Sequence, residues 1–432
     1  MDFDTIIDRR GTASYKWERY GPGVLPFWVA DMDFASPPAV VRALERRAAH
    51  GVYGYALVPT TLIEAIVDHL AGRHGWAIEP DWLVWLPGVV PALNLACRAF
   101  AARGETVATI VPAYPPFLAA PDFQGRQLLT VPARVAGGRW QLPLDELEAA
   151  VTPDTRVLLF CHPHNPLGRV WSRDEVAAVA AFCRRHDIVL VSDEIHCDLL
   201  LDPPGTGPGG GAPGVGHVPP EAAVPGTGHV PSIVAAPEAT DLTVTLMAPS
   251  KTFNLPGLNF AFAVIPDEGL RRRFVAAGAG VLPFPGCFAI DAAEAAYREG
   301  GQWLDELLVY LRGNAALVES FLANELPDVT TTHVEATYLA WLDASGWVAS
   351  RRGADGGESS ASDEVPIGHP EGGDDDSGRG ATTDPARACL RAGIALSGGG
   401  AFGAAPAFLR LNFACPRSLL EEGLRRLRTA LG

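Results

Sequence analysis

Short apolar runs alternate with amphipathic segments along the first two thirds of the 432-residue chain. The apolar runs predict seven strands, at 82–86, 106–111, 126–131, 155–161, 188–192, 242–247 and 260–265. Between several of them the apolar positions recur with a helical period, as at 91–102 and 172–186. Nearly continuous apolar strands separated by helices are typical of a mainly parallel sheet with helices on both faces. The pattern therefore predicts an α/β domain built on a mainly parallel, seven-stranded sheet.

The pattern changes after about residue 288. Long helical patterns at 289–299 and 303–325 precede a strand near 336–342 and a helix that begins at 417. This change predicts a second, smaller α+β domain. The predicted organisation is an N-terminal segment that packs with the small domain (1–45), a large domain (46–287) and the small domain itself (288–432).

Two stretches interrupt this pattern. Residues 203–228 are dominated by Pro and Gly, and residues 345–384 are rich in Gly, Asp and Ser. Neither composition buries enough apolar surface to offset the entropy lost on ordering. Both stretches are therefore predicted to be mobile surface insertions. Metal binding by His217 and His229 is the alternative interpretation of the first stretch, and we predict no metal.

Charge and cysteine content limit the cellular compartments and the binding partners that we expect for this protein. A net charge of −16 argues against nucleic acid and anionic membranes as partners. No apolar run approaches the roughly 18 residues of a membrane span, and the acidic N-terminus, MDFDTIIDRR, lacks the order of a signal peptide. The seven cysteines are scattered without a CxxC pair, which favours a reducing compartment. We expect a cytoplasmic protein.

Lysine is rare in this chain. Only two of the 34 basic residues (Lys plus Arg) are lysines, Lys16 and Lys251. Lys251 follows the strand predicted at 242–247, and ligands of parallel sheets bind where the strands end. Condensation with an aldehyde requires a primary amine, which arginine cannot supply. Lys251 is therefore a candidate to bind pyridoxal phosphate covalently, and an ordinary surface lysine is the alternative.

Two other strand ends carry matching chemistry. Asp193 in SDEIH follows the strand at 188–192, where a carboxylate could keep the cofactor's pyridine nitrogen protonated. His196 in the same motif could hydrogen-bond the ring oxygen, although helix capping or a metal-binding Asp/His pair would use the same residues. Asn165 in CHPHNPLG could donate its amide hydrogen to that oxygen. Asn-Pro also forms ordinary turns.

The first strands of the predicted sheet are followed by a possible phosphate turn and an aromatic residue. The free backbone N–H groups of Gly88, Val89 and Val90 in PGVVPALN could cradle a phosphate at the start of a helix. Tyr114 in VPAYPPF could stack on a cofactor ring, or simply pack against its neighbours. A phosphate turn, an aromatic residue, Asn, Asp and Lys thus follow successive strands, and all are predicted to lie at the same edge of the sheet.

Together, PGVVPAL, PAYPPF, HNPLG, SDEIH and SKTFNLPG resemble the fold-type I pyridoxal-phosphate enzymes of the class I and II aminotransferase superfamily. LPFWVADMDFASPP (25–38) and HGVYGY (50–55) resemble its cystathionine β-lyase (C–S lyase) branch. His196 fits that branch too, since ordinary aminotransferases usually carry tyrosine there. The resemblance covers nearly the whole chain apart from the two insertions.

The resemblance assigns the residues around the cofactor ring. It implies that Lys251 forms the Schiff base and that Asp193 pairs with the pyridinium nitrogen. Asn165 and His196 would lie at the ring oxygen, with Tyr114 stacked on the ring. Lys251 and Asp193 are thereby predicted to be catalytic.

The phosphate contacts depart from the usual pattern. Many aminotransferases carry a serine three residues before the lysine and an arginine eight after it, where this chain has Ala248 and Asn259. The phosphate is therefore expected to rely on the 88–90 turn, on Ser250 and on Tyr55. The resemblance implies that Tyr55, also predicted to be catalytic, reaches the phosphate of a neighbouring subunit, which makes the protein an obligate homodimer.

On the substrate side, the resemblance implies that Arg410 in FLRLNFACPR grips the α-carboxylate of an amino acid, together with Asn165. It also implies that Trp28 and Asp31 line the site. The predicted reaction is β-elimination from cystathionine or related cysteine S-conjugates to thiol, pyruvate and ammonia. Transfer of an amino group to a 2-oxo acid is the nearest alternative, because it would use the same residues. A non-catalytic regulator is disfavoured by the presence of Lys251 and Asp193.

Overall fold

The computed structural model describes residues 1–202, 229–355 and 383–432. Its strands are β1 (Leu25–Pro26), β2 (Leu83–Leu86), β3 (Thr106–Val111), β4 (Gln127–Pro132), β5 (Arg134–Ala136), β6 (Arg139–Gln141), β7 (Thr155–Cys161), β8 (Val189–Asp193), β9 (Thr243–Met247), β10 (Ala261–Val264), β11 (Thr330–Thr331), β12 (Leu339–Asp343), β13 (Ile394–Ala395), β14 (Ser397–Gly398) and β15 (Phe408–Asn412).

Its helices are α1 (Tyr15–Glu18), α2 (Pro38–His50), α3 (Thr60–His74), α4 (Val89–Phe100), α5 (Pro115–Phe123), α6 (Leu144–Ala150), α7 (Arg173–Arg185), α8 (Ser232–Ala235), α9 (Pro249–Thr252), α10 (Glu268–Gly278), α11 (Cys287–Glu299), α12 (Gly301–Glu325), α13 (Ser345–Asp355), α14 (Pro385–Arg391) and α15 (Arg417–Leu431). Within the described ranges, none of these helices has the length and apolarity to cross a bilayer.

The central sheet of the described residues has seven strands in the order β2-β10-β9-β8-β7-β3-β4. Strand β10 runs antiparallel to both of its neighbours, and the other pairings are parallel. All seven predicted strands lie in this sheet, and the predicted fold class is confirmed. The prediction succeeded because the inner strands are buried on both faces, as in β9, where every residue is buried.

Helix α7 shows how an apolar stripe and a defined start fit a helix to the sheet. In α7 the buried residues Val176, Val179, Ala180 and Cys183 recur at helical spacing and face the sheet. A capping box fixes the start of this helix. The Ser172 hydroxyl accepts a hydrogen bond from the Glu175 backbone N–H, and the Glu175 carboxylate accepts one from the Ser172 N–H.

The C-terminal part contains a smaller sheet of order β11-β12-β15-β14, against which α12 and α14 pack. Its apolar core includes Phe3, Trp17 and Phe27 from the N-terminal segment. Strand β1 pairs in parallel with β13, so the chain start is tied to this part by backbone hydrogen bonds as well. These contacts agree with the proposed packing of residues 1–45, and the domain boundaries stay a prediction.

One boundary of the predicted second insertion, 345–384, is wrong. Residues 345–355 form α13, and Trp347 in its first turn is buried in the core of the C-terminal part. The Gly, Asp and Ser content of the whole stretch masked the apolar pair Trp347–Val348 at its start. At the other end, Asp384 caps α14 by accepting hydrogen bonds from two backbone N–H groups. Residues 356–382 and the first predicted insertion, 203–228, lie outside the described residues.

Candidate active site

Strand ends of the central sheet place the predicted site residues side by side. Asp193 is the last residue of β8 and is paired in register with Cys161, the last residue of β7. Asn165 lies four residues beyond that strand, and Lys251 lies on α9 just after β9. Parallel neighbouring strands end at the same edge of a sheet, so consecutive motifs converge there. Lys251 lies close enough to Asp193 and Arg410 for both to affect its pKa.

Lys251 is held at the floor of the site. Its Nζ donates a hydrogen bond to the Ala30 carbonyl oxygen at 2.7 Å. Burial lowers the pKa of Lys251 to about 8, with help from Arg410, whereas the carboxylates of Asp31 and Asp193 oppose that change. The amine is therefore neutral in an appreciable fraction of molecules near neutral pH, as a nucleophile or a base must be.

Asp193 is a buried carboxyl group that lacks a full counter-charge. Burial raises the pKa of Asp193 to about 7, although the Ile195 backbone N–H and the Lys251 ammonium both favour the ionised form. The Ile195 N–H donates to Asp193 Oδ1 at 3.1 Å. A cationic group bound beside this carboxyl would restore its ionised form. A protonated pyridine nitrogen fits that requirement.

His196 supplies a neutral, buried imidazole. Burial lowers the pKa of His196 to about 3, and the positive charges of Lys251 and Arg410 act in the same direction. Its Nδ1 is buried without a hydrogen-bond partner among the described residues. Because an unpaired buried nitrogen is costly, this atom fits a site that a polar ligand completes.

Arg410 is a buried guanidinium aimed at the same space. Its Nη1 donates to Asn165 Oδ1 at 3.1 Å and its Nη2 donates to the Trp28 carbonyl oxygen at 2.8 Å. Burial lowers the pKa of Arg410 to about 10, so it stays cationic at neutral pH. Its Nε is buried and has no partner in the described part of the chain. A buried cation held by neutral acceptors is suited to bind a carboxylate.

The predicted phosphate turn lies at the start of α4. Gly88 is the N-terminal cap of α4, and Val89 and Val90 are its first two residues. The N–H groups of a first helical turn have no acceptor within the helix, so they can bind an anion. Ser250 lies half-buried on α9, whereas Asn259 is exposed. The reduced phosphate contact expected at Ala248 and Asn259 stays a prediction.

Comparison with known proteins agrees with this arrangement. Residues 22–427 match the family described as Aminotransferase class I and II. The chain belongs to this family. It is 35% identical to cystathionine beta-lyase PatB of Bacillus subtilis strain 168, with both chains covered over 100% of their length.

The chain shares its fold over its whole length with solved structures, among them OvoB and a C–S lyase. The crystal structure of OvoB has a TM-score of 0.84 and 38% identity, covering 100% of this chain and 99% of that one. The PLP-bound C–S lyase from Staphylococcus hominis has a TM-score of 0.82 and 28% identity, covering 100% and 98%. The predicted family is therefore confirmed.

For Tyr55, Trp28 and Asp31, the side chains do not show, within the described residues, the contacts that the predicted roles require. Tyr55 is fully exposed and makes no described contact with the site of its own chain. The Trp28 ring packs edge-on against Tyr15 at 5.0 Å between ring centroids. The Asp31 carboxylate forms an ion pair with Arg9 at 2.8 Å and also lies close enough to Lys251 to raise the pKa of that lysine. The roles predicted for Tyr55, Trp28 and Asp31 remain predictions.

Sequence reasoning missed the residues that hold segment 28–34 over the site. Tyr338 is buried, and its hydroxyl donates to the Ala30 carbonyl oxygen at 2.9 Å. Asn412 donates to the carbonyl oxygens of Val29 and Asp31 at 2.6 and 2.7 Å. Among the residues that hold this segment, only Lys16 was noticeable in the sequence, because it is one of just two lysines. Its Nζ donates to Asp33 Oδ2 at 2.8 Å and is almost completely buried.

One cluster of possible metal ligands lies beside the site in the described ranges, formed by His69, His74 and Asp198. Both Nε2 atoms are 3.0 Å from Asp198 Oδ1, and the Arg73 guanidinium is 3.3 Å from the same oxygen. The positive charge of Arg73 would repel a metal cation bound at this oxygen. The surroundings therefore favour a hydrogen-bonded cluster.

The two histidines of the alternative metal interpretation do not form a described site. The buried His229 pairs with Glu194 at 2.9 Å and stacks on His162. His217 lies outside the described residues.

Proposed function

We propose that this chain is a pyridoxal-phosphate-dependent C–S β-lyase that cleaves cystathionine or related cysteine S-conjugates. The observation that carries the proposal is the partly buried amine of Lys251 beside the buried carboxyl group of Asp193 and the buried guanidinium of Arg410. This set serves amino-acid chemistry on an aldehyde cofactor. The choice of C–S cleavage rests on the full-length similarity to proteins named cystathionine beta-lyase or C–S lyase.

Pyridoxal phosphate is the cofactor, and the residues present fit it. Lys251 would hold its aldehyde carbon, and Asp193 its ring nitrogen. Neutral His196 and Asn165 would face the ring oxygen, and Tyr114 would stack on the face of the ring. The 88–90 turn and Ser250 would bind the phosphate. When bound, the cofactor stabilises the electron pair left by the α-proton. The observation that supports this fit is the buried Nδ1 of His196, which has no hydrogen-bond partner among the described residues and which the cofactor would provide with one.

The protein side chains bind the substrate and move its proton. Arg410 receives the α-carboxylate, which orients the Cα–H bond towards Lys251. With a pKa lowered to about 8 by burial, Lys251 can accept that proton as a general base. As the Cα–H electron pair moves to form a Cα=Cβ bond, the Cβ–S bond breaks and its electrons leave with the thiolate. Water then converts the remaining three-carbon fragment to pyruvate and ammonia.

Amino-group transfer is the second candidate, because it uses the same lysine, carboxylate and arginine. A direct test incubates the holoenzyme with cystathionine and measures pyruvate and free thiol. We expect the two products in equal amounts. Transfer of the amino group to a 2-oxo acid without release of thiol would contradict the lyase proposal.

Replacing Arg410 by leucine should raise KM for cystathionine and lower kcat/KM by about a hundredfold or more, because a buried charge-assisted carboxylate contact is lost. Steady-state kinetics of pyruvate release measures both parameters. Arg417 is a matched control. It is a partly buried arginine that donates to the Gly313 carbonyl oxygen at 3.2 Å. If Arg410→Leu and Arg417→Leu gave equal KM values, Arg410 would not be the carboxylate ligand.

Cofactor loading should report the lowered pKa of Lys251. Only the neutral amine attacks the aldehyde, so protonation below the folded-state pKa of about 8 slows loading. The loading rate of the apoprotein should therefore rise about tenfold from pH 6 to pH 7 and level off above about pH 9. Stopped-flow absorbance measures this rate. A rate that still rises tenfold per unit above pH 9 would indicate an unperturbed lysine.

We also propose a homodimer with its two sites at the subunit interface. Exposed apolar side chains concentrate next to Tyr55, at Val52, Tyr53 and Leu57. A second copy of the chain would cover them and bring its Tyr55 to the phosphate turn. Light scattering should give twice the chain mass of 45.7 kDa. Tyr55→Phe should lower the affinity for the cofactor, because the tyrosine hydroxyl would contact the phosphate of the other subunit. An unchanged affinity would mean that each site is formed by one subunit alone and would contradict this proposal.

A cytoplasmic location completes the proposal. All seven cysteines are free, and six of them are buried. Free thiols are the usual state in a reducing compartment. Cell fractionation with a tagged full-length chain tests this, and recovery in an extracytoplasmic fraction would contradict it.

A further inference from the structure

Asp198 is a buried carboxylate that four donors surround. Its Oδ1 accepts hydrogen bonds from His69 Nε2 and His74 Nε2, each at 3.0 Å. The Arg73 Nε lies 3.3 Å from the same oxygen. The other carboxylate oxygen of Asp198, Oδ2, accepts a hydrogen bond from the Thr252 hydroxyl at 3.0 Å. The two oxygens thus connect the end of α3 to the last residue of α9.

This cluster lies one residue from the reactive lysine. Thr252 directly follows Lys251 and is completely buried. Helix α9 has only four residues, Pro249–Thr252, so its internal hydrogen bonds alone hold it weakly. An outside contact at its end therefore limits how far the Lys251 backbone can rotate.

The charge state of Asp198 suits a fixed anchor. Burial would raise its pKa, but His69 and His74 outweigh that effect and keep the pKa of Asp198 well below its usual value. Burial lowers the pKa of His74, which favours its neutral form and a single N–H donated to the carboxylate. A charged acceptor makes stronger and shorter hydrogen bonds than a neutral one.

We propose that Asp198, oriented by His69 and His74, positions Lys251 for catalysis through the hydroxyl of Thr252. Asp198 and Thr252 are positioning residues, since neither touches the reacting atoms. The Asp198–Thr252 contact acts on the backbone of α9, and Lys251 Nζ is then fixed at the Ala30 carbonyl oxygen. The inference rests on the proposed function for the role of Lys251.

The decisive variant is Thr252→Val, which keeps the shape of the side chain and removes the hydroxyl. We expect kcat for pyruvate release to fall about tenfold with KM changed less than about twofold, because substrate binding by Arg410 is untouched. The pH midpoint of the cofactor absorbance should shift by about half a unit or more, since Lys251 is held less firmly. Thr252→Ser, which restores the hydroxyl, should recover both values.

Thr243→Val is the matched control. Thr243 is also buried, but its hydroxyl donates to the Ala239 carbonyl oxygen at 2.8 Å at the opposite end of β9. If Thr252→Val changed only the melting temperature, as Thr243→Val should, the positioning role would be overturned. If Thr252→Val does not fold, Asp198→Asn provides the same two readouts. A wild-type protein without a cofactor band would instead contradict the proposed function, so the two failures are distinguishable.

Discussion

Replacing Lys251 by alanine should abolish the lyase activity, with kcat lowered at least about a thousandfold. The variant loses both the amine that holds the cofactor and the base that removes the α-proton, and general acid–base catalysis alone contributes about 10²–10⁴-fold. The absorbance band of the bound cofactor, at about 420 nm in the wild type, should disappear as well. Pyruvate release and an absorbance spectrum of the purified protein measure the two effects.

Lys251→Arg separates the amine from the charge. Arginine preserves a cation at this position but cannot condense with an aldehyde. It should therefore be as inactive as Lys251→Ala and should lack the same band. A band that persisted in Lys251→Ala would show that another amine holds the cofactor.

The second large effect is expected for Asp193→Asn. Asparagine keeps the shape but cannot carry the negative charge that stabilises a protonated ring nitrogen in a buried site. We expect kcat to fall about a hundredfold or more, the size typical of losing one preorganised electrostatic contact. Cofactor affinity should fall too. Both are measurable by kinetics and by titration of the apoprotein with pyridoxal phosphate.

Glu194→Gln is the control for Asp193→Asn, because it makes the same chemical change one residue further along. Glu194 is completely buried but faces His229, at 2.9 Å, rather than the site. Its loss should lower kcat by less than about tenfold. Equal effects of the two substitutions would mean that buried negative charge in general, and not Asp193 in particular, is required.

The sequence predicted the large sheet well for a physical reason. Strands buried on both faces must be apolar at nearly every position, so their runs are visible without any knowledge of partners. It also placed Asp193, Asn165 and Lys251 at one edge, since parallel strands end together. The prediction erred at α13, where Trp347 and Val348 stand at the start of a stretch whose average composition is polar.

Contacts that are remote along the chain could not be predicted in the same way. Lys251 and Ala30, which share a hydrogen bond, are 221 residues apart. Arg410 and Asn165 are 245 apart. Neither pair has a periodic pattern that would reveal it. The same holds for Asp198 and Thr252, which are 54 residues apart.

The sequence by itself therefore determined which segments form the strands, the edge of the sheet at which the chemistry lies and the kinds of side chain available there. Only the tertiary structure decided their state. The pKa of Lys251 is lowered to about 8 and that of Asp193 raised to about 7 because burial penalises their charged forms. Burial depends on which distant segments cover the site, and the Ala30 carbonyl that contacts Lys251 belongs to an N-terminal segment that packs in the core of the C-terminal part.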